Sequence, residues 1–351
     1  MVEEWSGAVR FISASSTAAR GQCMAFRFKL GEPFDEGSRR IAVEQIERAQ
    51  SSLHDKRDQA VSVHEARKSL KRLRALLRLV RPAMGEQVFR AENGQLRDIG
   101  LSLSGARDRH VLLETVDKLE RAGRLGRKGL ADTLRQTIAA ANGEGTPLGT
   151  RGALARLAEA KKRLADMQIA GTGFEVVAPG LERSYRRCRR AFSAAYREPS
   201  DEAFHEWRKG AQAHWRQMTL LSRGWPDYLG ARAAEARNLS QLLGDDHDLA
   251  VLVAFVHSDA GAGLRGEQAA LIERAAREGQ DQLRLSARPY GERLFADGPK
   301  RLCRNIGVYW KAAFDAKEHE VDADQSRPAQ PAQRVRRQSA PRRRAAAHPK
   351  V

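Results

Sequence analysis

Two stretches of this chain repeat one helical pattern, and that pattern limits what the chain can fold into. Residues 63–82 read VHEARKSLKRLRALLRLVRP, and residues 204–226 read FHEWRKGAQAHWRQMTLLSRGWP. At about 100° per residue around a helix, Arg67, Lys68, Lys71 and Arg78 fall within about 60° of His64, flanked at about 80° by Arg72 and Arg74. Leu70, Leu73, Leu76, Leu77 and Val80 occupy the opposite side; only Leu79 strays toward the cations. In the second stretch Arg208, Lys209, Arg216 and Arg223 gather near His205, with Gln212 and Thr219 between them. Phe204, Trp207, Ala211, His214, Met218 and Leu221 form the apolar side. Both segments are predicted helices that bury one face. Solvated helices usually mix Glu among their cations to relieve repulsion, and these faces read as free of acid. A bound polyanion explains the twice-repeated basic face better than a merely solvated surface does.

The repeat extends further. Setting His64 on His205, an offset of 141, pairs Glu65 with Glu206, Arg67 with Arg208 and Lys68 with Lys209. At an offset of 140, residues 96–113 align with residues 236–252, matching Arg97 with Arg237, Leu103 with Leu243 and Asp108 with Asp248. Two matched segments at nearly one offset predict a duplicated helical unit. Further amphipathic helices are expected over Phe34–Leu53, in two segments between Phe89 and about Gly126, and over Leu181–Tyr196. In the last of these, Leu181, Tyr185, Cys188 and Phe192 share a face. Val61–Val80 should end at Pro82, and Ala203–Ser222, entered through Ser200-Asp201-Glu202, should end at Gly224 and Pro226. The break between halves is placed around Asn142–Gly152 and Gly171–Pro179.

Of the 351 residues, 62 are Lys or Arg and 44 are Asp or Glu, a net charge of +18. The segment 321–351 holds eight Lys/Arg, two Asp and no apolar periodicity, so it is expected to be a disordered basic tail. The body keeps +12, so most of the charge belongs to folded elements. Residues 1–23 show no clear pattern, residues 24–320 form the expected domain, and its halves divide near residue 170. No apolar run approaches 18 residues and no secretory leader is evident, so neither a membrane span nor export is expected. Cys23, Cys188 and Cys303 are odd in number and far apart, which disfavours a disulfide framework or a cysteine zinc site and fits the cytoplasm.

The residues HEARKSLKRLR in the first copy, and HEWRK followed by LLGDDHDLAVL in the second, resemble the CHAD family, the conserved-histidine α-helical domain. The resemblance implies an all-α fold of two pseudo-symmetric four-helix bundles with a basic central groove. It also implies binding of inorganic polyphosphate and association with polyphosphate granules. By position it assigns binding to His64, Arg67, Lys68, Lys71, Arg72, Arg74, Arg97 and Arg107. From the second copy it takes His205, Arg208, Lys209, Arg237 and His247, preceded by Tyr185, Arg186, Arg187 and Arg190. Arg78 and Arg216 join them by helical position. Gln212 stands where the family has Lys, Arg216 where it has Tyr, and Ser104 and His110 where it has Gly and Asp. Arg216 projects onto the same face and could replace the cation missing at Gln212.

Polyphosphate suits such a surface. Arg grips phosphate oxygens through a planar fork, Lys follows a mobile chain as a point charge, and His donates from both nitrogens once an anion raises its pKa. The alternative is a general polyanion or nucleic-acid binder that uses the basic tail. A third reading, a metal-dependent phosphohydrolase, rests on His247-Asp248 within Gly244-Asp245-Asp246-His247-Asp248. Against it, Asp245, Asp246 and Asp248 read as N-terminal caps of a helix that follows a break, and His214 reads as a core histidine. No phosphate-cradling Gly loop or nucleophile elbow is present, so the expectation is a non-enzymatic binder with no cofactor and no metal.

Overall fold

The computed structural model describes residues 26–325, apart from 56, 104, 127–128 and 142–149; the side chains of 105–108 and 320–325 also lie outside it. The described residues form eleven α-helices and no strand. They are α1 (Phe34–His54), α2 (Gln59–Met84), α3 (Glu86–Ser102), α4 (Gly105–Arg121), α5 (Leu130–Ala140) and α6 (Thr150–Ala165). After a short 3-10 turn at Phe174–Val176 come α7 (Ala178–Arg197), α8 (Asp201–Leu220), α9 (Pro226–Val256), α10 (Gly266–Leu294) and α11 (Pro299–Gln325). The unpatterned N-terminal segment and most of the expected tail lie outside the described residues. α11 does continue past Val321, so the first residues of that segment are helical.

Several expected boundaries move, each for a local reason. α2 starts before Val61 because the Asp58 carboxylate accepts from the backbone N–H groups of Ala60 and Val61 at 2.9 and 3.1 Å. It also runs through Pro82 to Gly85, whose φ of 88° ends it. Pro82 sits in the last turn and gives up only the one hydrogen bond its N–H would have made to the Arg78 carbonyl, and the helix ends two residues later. Ser200 caps α8 as expected, accepting from the Ala203 N–H at 3.2 Å. Pro226 does not stop α8, which ends at Leu220; it opens α9 at a position where a missing N–H costs nothing.

α9 corrects a larger expectation. It is continuous across Gly244, so Asp245, Asp246 and Asp248 lie inside a helix and cap nothing. Asp246 is buried and pairs at 2.6 Å with Arg284 of α10, while Asp245 pairs at 2.6 Å with Lys118 of α4. Two of these acids therefore tie α9 to its neighbours.

Two apolar cores result. The larger takes in α1, α2, α3, α6, α7, α8 and α11, and includes Leu73, Leu76, Tyr185, Trp207 and Trp310. The smaller joins α4 and α5 through Val116, Leu119, Leu134 and Ile138. The long helices α9 and α10 each serve both: Leu229–Leu243 and Ala287–Leu294 sit in the larger core, Leu249–Val256 and Ile272–Leu283 in the smaller.

The helices that carry the basic faces meet inside the larger core. α2 packs against both α7 and α8, and α7 packs against α8. Gly180 makes the α2–α7 crossing possible, since a Cβ there would lie 1.8 Å from the Leu79 carbonyl oxygen and 2.9 Å from that of Arg78. Pro82 removes the N–H that would otherwise bond the Arg78 carbonyl. Leu79, the one leucine on the cationic side, is fully buried in the core this crossing helps to form. Gly210 plays the same part for α7 and α8, with the Cys188 Sγ 2.7 Å from where its Cβ would be. Gly180→Ala should cost about 3 kcal/mol or more, because backbone cannot move aside as a side chain can. Gly94→Ala, at an open helical position, should instead stabilise by about 0.5–1 kcal/mol. Thermal and denaturant melts of the two variants check this pair of signs.

Candidate functional site

The packing of α2 against α8 brings the two repeated basic faces together. Arg216, on α8, is only 7% exposed. One of its terminal nitrogens donates to the Gln212 carbonyl at 2.7 Å, its guanidinium lies 4.3 Å over the Trp215 ring, and its Nε has no hydrogen-bond partner. Burial pushes its pKa down to about 9, helped by Arg72 and Arg78 of α2 and Arg208 of its own helix. Arg78 is similar: burial, then Arg74, Arg187 and Arg81, push it down to about 10. Among the described residues neither arginine has an ion-pair partner. A buried and a part-buried guanidinium beside further cations, with no acid paired to either among the described residues, carry an electrostatic cost.

The same repulsion links more distant residues. Arg74 donates to Asn93 of α3 at 3.0 Å, and its pKa is lowered by burial and then by Arg97. Arg67 donates to the Gly100 carbonyl at the end of α3 at 2.6 Å. On the other side, Arg208 reaches across to α9, with its Nε 3.9 Å from where a Gly244 Cβ would stand. There His205 and His247 stack, ring centroids 4.2 Å apart and planes tilted by 29°. Burial, then Arg208, His205 and Lys209, hold His247 down at about 4. His205 is lowered by burial, then by Lys209 and Arg208. A continuous series of mutually repelling groups thus runs from Arg97 through Arg74, Arg78, Arg216 and Arg208 to the histidine pair.

Other expected site residues fall elsewhere. Tyr185 is fully buried, its hydroxyl donating to the Leu294 and Asp297 carbonyls at 3.1 Å, so in this structure it packs in the core. Its place on the apolar stripe with Leu181 and Cys188 already pointed there. The faces are also not free of acid. Lys68 pairs with Glu65 at 2.8 Å, and Glu206 pairs with both Lys209 and Arg187, because a residue three positions before each lysine reaches round the helix. Arg186 pairs with Glu182 of its own helix, and Arg97 pairs with Asp98 at 3.1 Å. Arg190 and Arg237 are exposed, and His64, Lys71 and Arg72 lie part-buried on α2. The side chain of Arg107 lies outside the described residues. Arg223 falls beyond the end of α8, in the 3-10 turn Ser222–Gly224.

Arg81 was missed. It repels Arg78, but it sits about 100° from His64 around α2 and so falls outside the face drawn from sequence. Its guanidinium lies 4.4 Å over Phe89 and pairs with Glu86. His214 is buried as expected; its Nε2 accepts from Arg232 at 3.3 Å, but its Nδ1 lacks a partner. Burial holds its pKa well below the usual range. Among the described residues no three His, Cys, Asp or Glu side chains are placed to hold a metal ion, and no helix is long and apolar enough to cross a membrane.

The CHAD domain family matches residues 40–257, a span that includes both repeated segments and every helix bearing the linked cations. The chain belongs to the CHAD family. No match is found among curated proteins. Within this CHAD protein the matched span ends at the C-terminus of α9, so α10 and α11 lie beyond it.

The buried Arg216 gives a measurable signature. Its folded value of about 9 lies well below the ordinary guanidinium range, so in the window above about 9 the folded chain gives up this proton more readily than the unfolded chain does. Stability therefore rises with pH across that window, and the charged Arg216 is destabilising below it. Arg216→Met should stabilise the ligand-free protein at pH 7 by something on the order of 1–3 kcal/mol. That advantage should shrink as pH rises through about 9. Denaturant melts of both proteins at pH 7, 8.5 and 10 measure it.

Proposed function

We propose that this CHAD protein binds inorganic polyphosphate, without turning it over, along the cations that α2, α8 and α9 bring together. The observation that carries this reading is the pair of buried Arg216 and part-buried Arg78, next to other cations and with no acidic partner among the described residues. A polyanion with regular oxyanions along its length would compensate several of these groups at once, from Arg97 to His247. Phosphate forks onto Arg and tolerates the low-dielectric setting in which such contacts are strongest. Family membership supports the same ligand class. In cells that store polyphosphate, the protein is then expected at the granules.

Nucleic acid fits this surface less well. Stacking platforms among the cations would be needed, yet Trp215 is covered by the Arg216 guanidinium, and Phe204 and Trp207 are buried. The test uses the full chain and a second protein in which the Lys and Arg residues of 327–350 are changed to Gln. Long-chain polyphosphate should bind both with similar affinity at a salt concentration where duplex DNA does not bind. Arg72→Ala with Arg208→Ala should weaken binding at least tenfold, and should lower the slope of log affinity against log salt by about one to two charges. Equal affinity for DNA, or loss of binding when only the tail is neutralised, would overturn the reading.

A further inference from the structure

The stacked histidines sit where the series of cations ends, and most of the described carboxylates around them are already engaged by cations. From α8, Arg208 and Lys209 oppose a proton on either ring, while Glu202 and Glu206 favour one on His205. Glu206 is already paired with Lys209 and with Arg187 of α7. Asp201, at the start of α8, favours a proton on His247, but it is engaged by Arg277 and Arg284 of α10. On α9 itself, Asp246 is held by Arg284 and Asp245 by Lys118 of α4. From α2, Arg72 and Arg78 repel Arg216, which in turn is repelled by Arg208. The His205 Nδ1 has no hydrogen-bond partner. Glu206, Asp201, Asp246 and Asp245 are thus each engaged by a cation, and Glu202 is exposed. Asp248 follows His247 on α9 and acts on Lys118, while Arg208 and Lys209 act on both imidazoles.

We infer that the His205–His247 pair takes up a proton when a phosphate chain binds, so that affinity rises as pH falls. This rests on the polyphosphate reading and adds a regulation to that site. The reasoning is electrostatic. A bound anion reverses the sign of the field at the rings and offers oxygens to the ring N–H groups, which favours the protonated form. Two cationic rings 4.2 Å apart repel each other, so the pair behaves as one titrating unit and accepts a single proton before a second. By linkage, uptake of one proton on binding makes affinity change by up to tenfold per pH unit wherever the bound form holds the proton and the free form does not. The proton comes from bulk solvent.

Calorimetric titration of the full chain with long-chain polyphosphate, in two buffers of different ionisation enthalpy, counts the protons taken up. A series from pH 7.5 to pH 5.5 gives the affinity slope. Long chains keep the ligand's own titration small, since only terminal phosphates ionise in this range. The expected result is uptake approaching one proton near pH 6 and an affinity gain of about tenfold across the series. In the double variant H205Q/H247Q the uptake and the slope should both disappear, whatever its absolute affinity. Histidine ring resonances should shift toward the protonated form on binding. Binding with the same slope in wild type and variant, or with no proton uptake, would overturn the inference and leave the polyphosphate reading standing. No binding at any pH would overturn both.

Discussion

The α2–α7 crossing at Gly180 is the contact on which the rest of the arrangement depends. There is room for a hydrogen and for nothing larger, since a Cβ would stand 1.8 Å from a backbone oxygen. Close approach of α7 at this point places Arg187 near Arg78 and buries Leu79 on what would otherwise be the cationic side of α2. Gly210 then allows α8 to follow α7 closely, and α8 brings Arg216 against Arg72 and Arg78. Small residues at two crossings thereby decide how near two positively charged helix faces come to each other.

Bringing like charges together costs free energy that the apolar core must offset. The core beneath is extensive, with Leu70, Leu73, Leu76 and Leu77 of α2 and Phe204, Trp207 and Met218 of α8 all buried. Elsewhere the molecule pairs its charges: Arg40 is held by Glu32 and Glu44, Arg163 by Glu92, and Arg284 by Asp201 and Asp246. Arg78 and Arg216 depart from that habit. Among the described residues these two adjacent cations have no acidic partner, and that contrast is what motivates the proposed anion site. The depressed pKa values of the neighbouring histidines describe the same field from its far end.

Much of the fold was legible because helical periodicity reports burial directly. The Leu stripe of α2, the Leu181–Tyr185–Cys188 stripe of α7 and the Ser200 cap of α8 were all readable one segment at a time. Where boundaries failed, a residue had been read by its average behaviour. Pro82 and Pro226 resemble helix stops in sequence, yet Pro82 lies within the last turn of α2 at the cost of one hydrogen bond, and Pro226 opens α9. Gly244 suggested a break that the packing of α9 on α8, α10 and α4 does not allow. At the site, the helical wheel found Arg78 and Arg216 but also promised acid-free faces. It could not show Glu65 and Glu206 reaching their lysines from the flank.

By itself the sequence determined most of the elements and the two matching basic faces, because these follow from local periodicity and charge. Only the tertiary structure decided which cations are buried, which have acids of their own and which repel each other. Those properties depend on solvent exclusion and on distances between helices far apart in the chain. Tyr185 lies buried in the core, Arg81 stands in the neighbourhood of Arg78, and His205 stacks on His247 across the α8–α9 contact. A pattern along one helix gives the direction of a side chain, and the neighbouring helix determines its electrostatic surroundings.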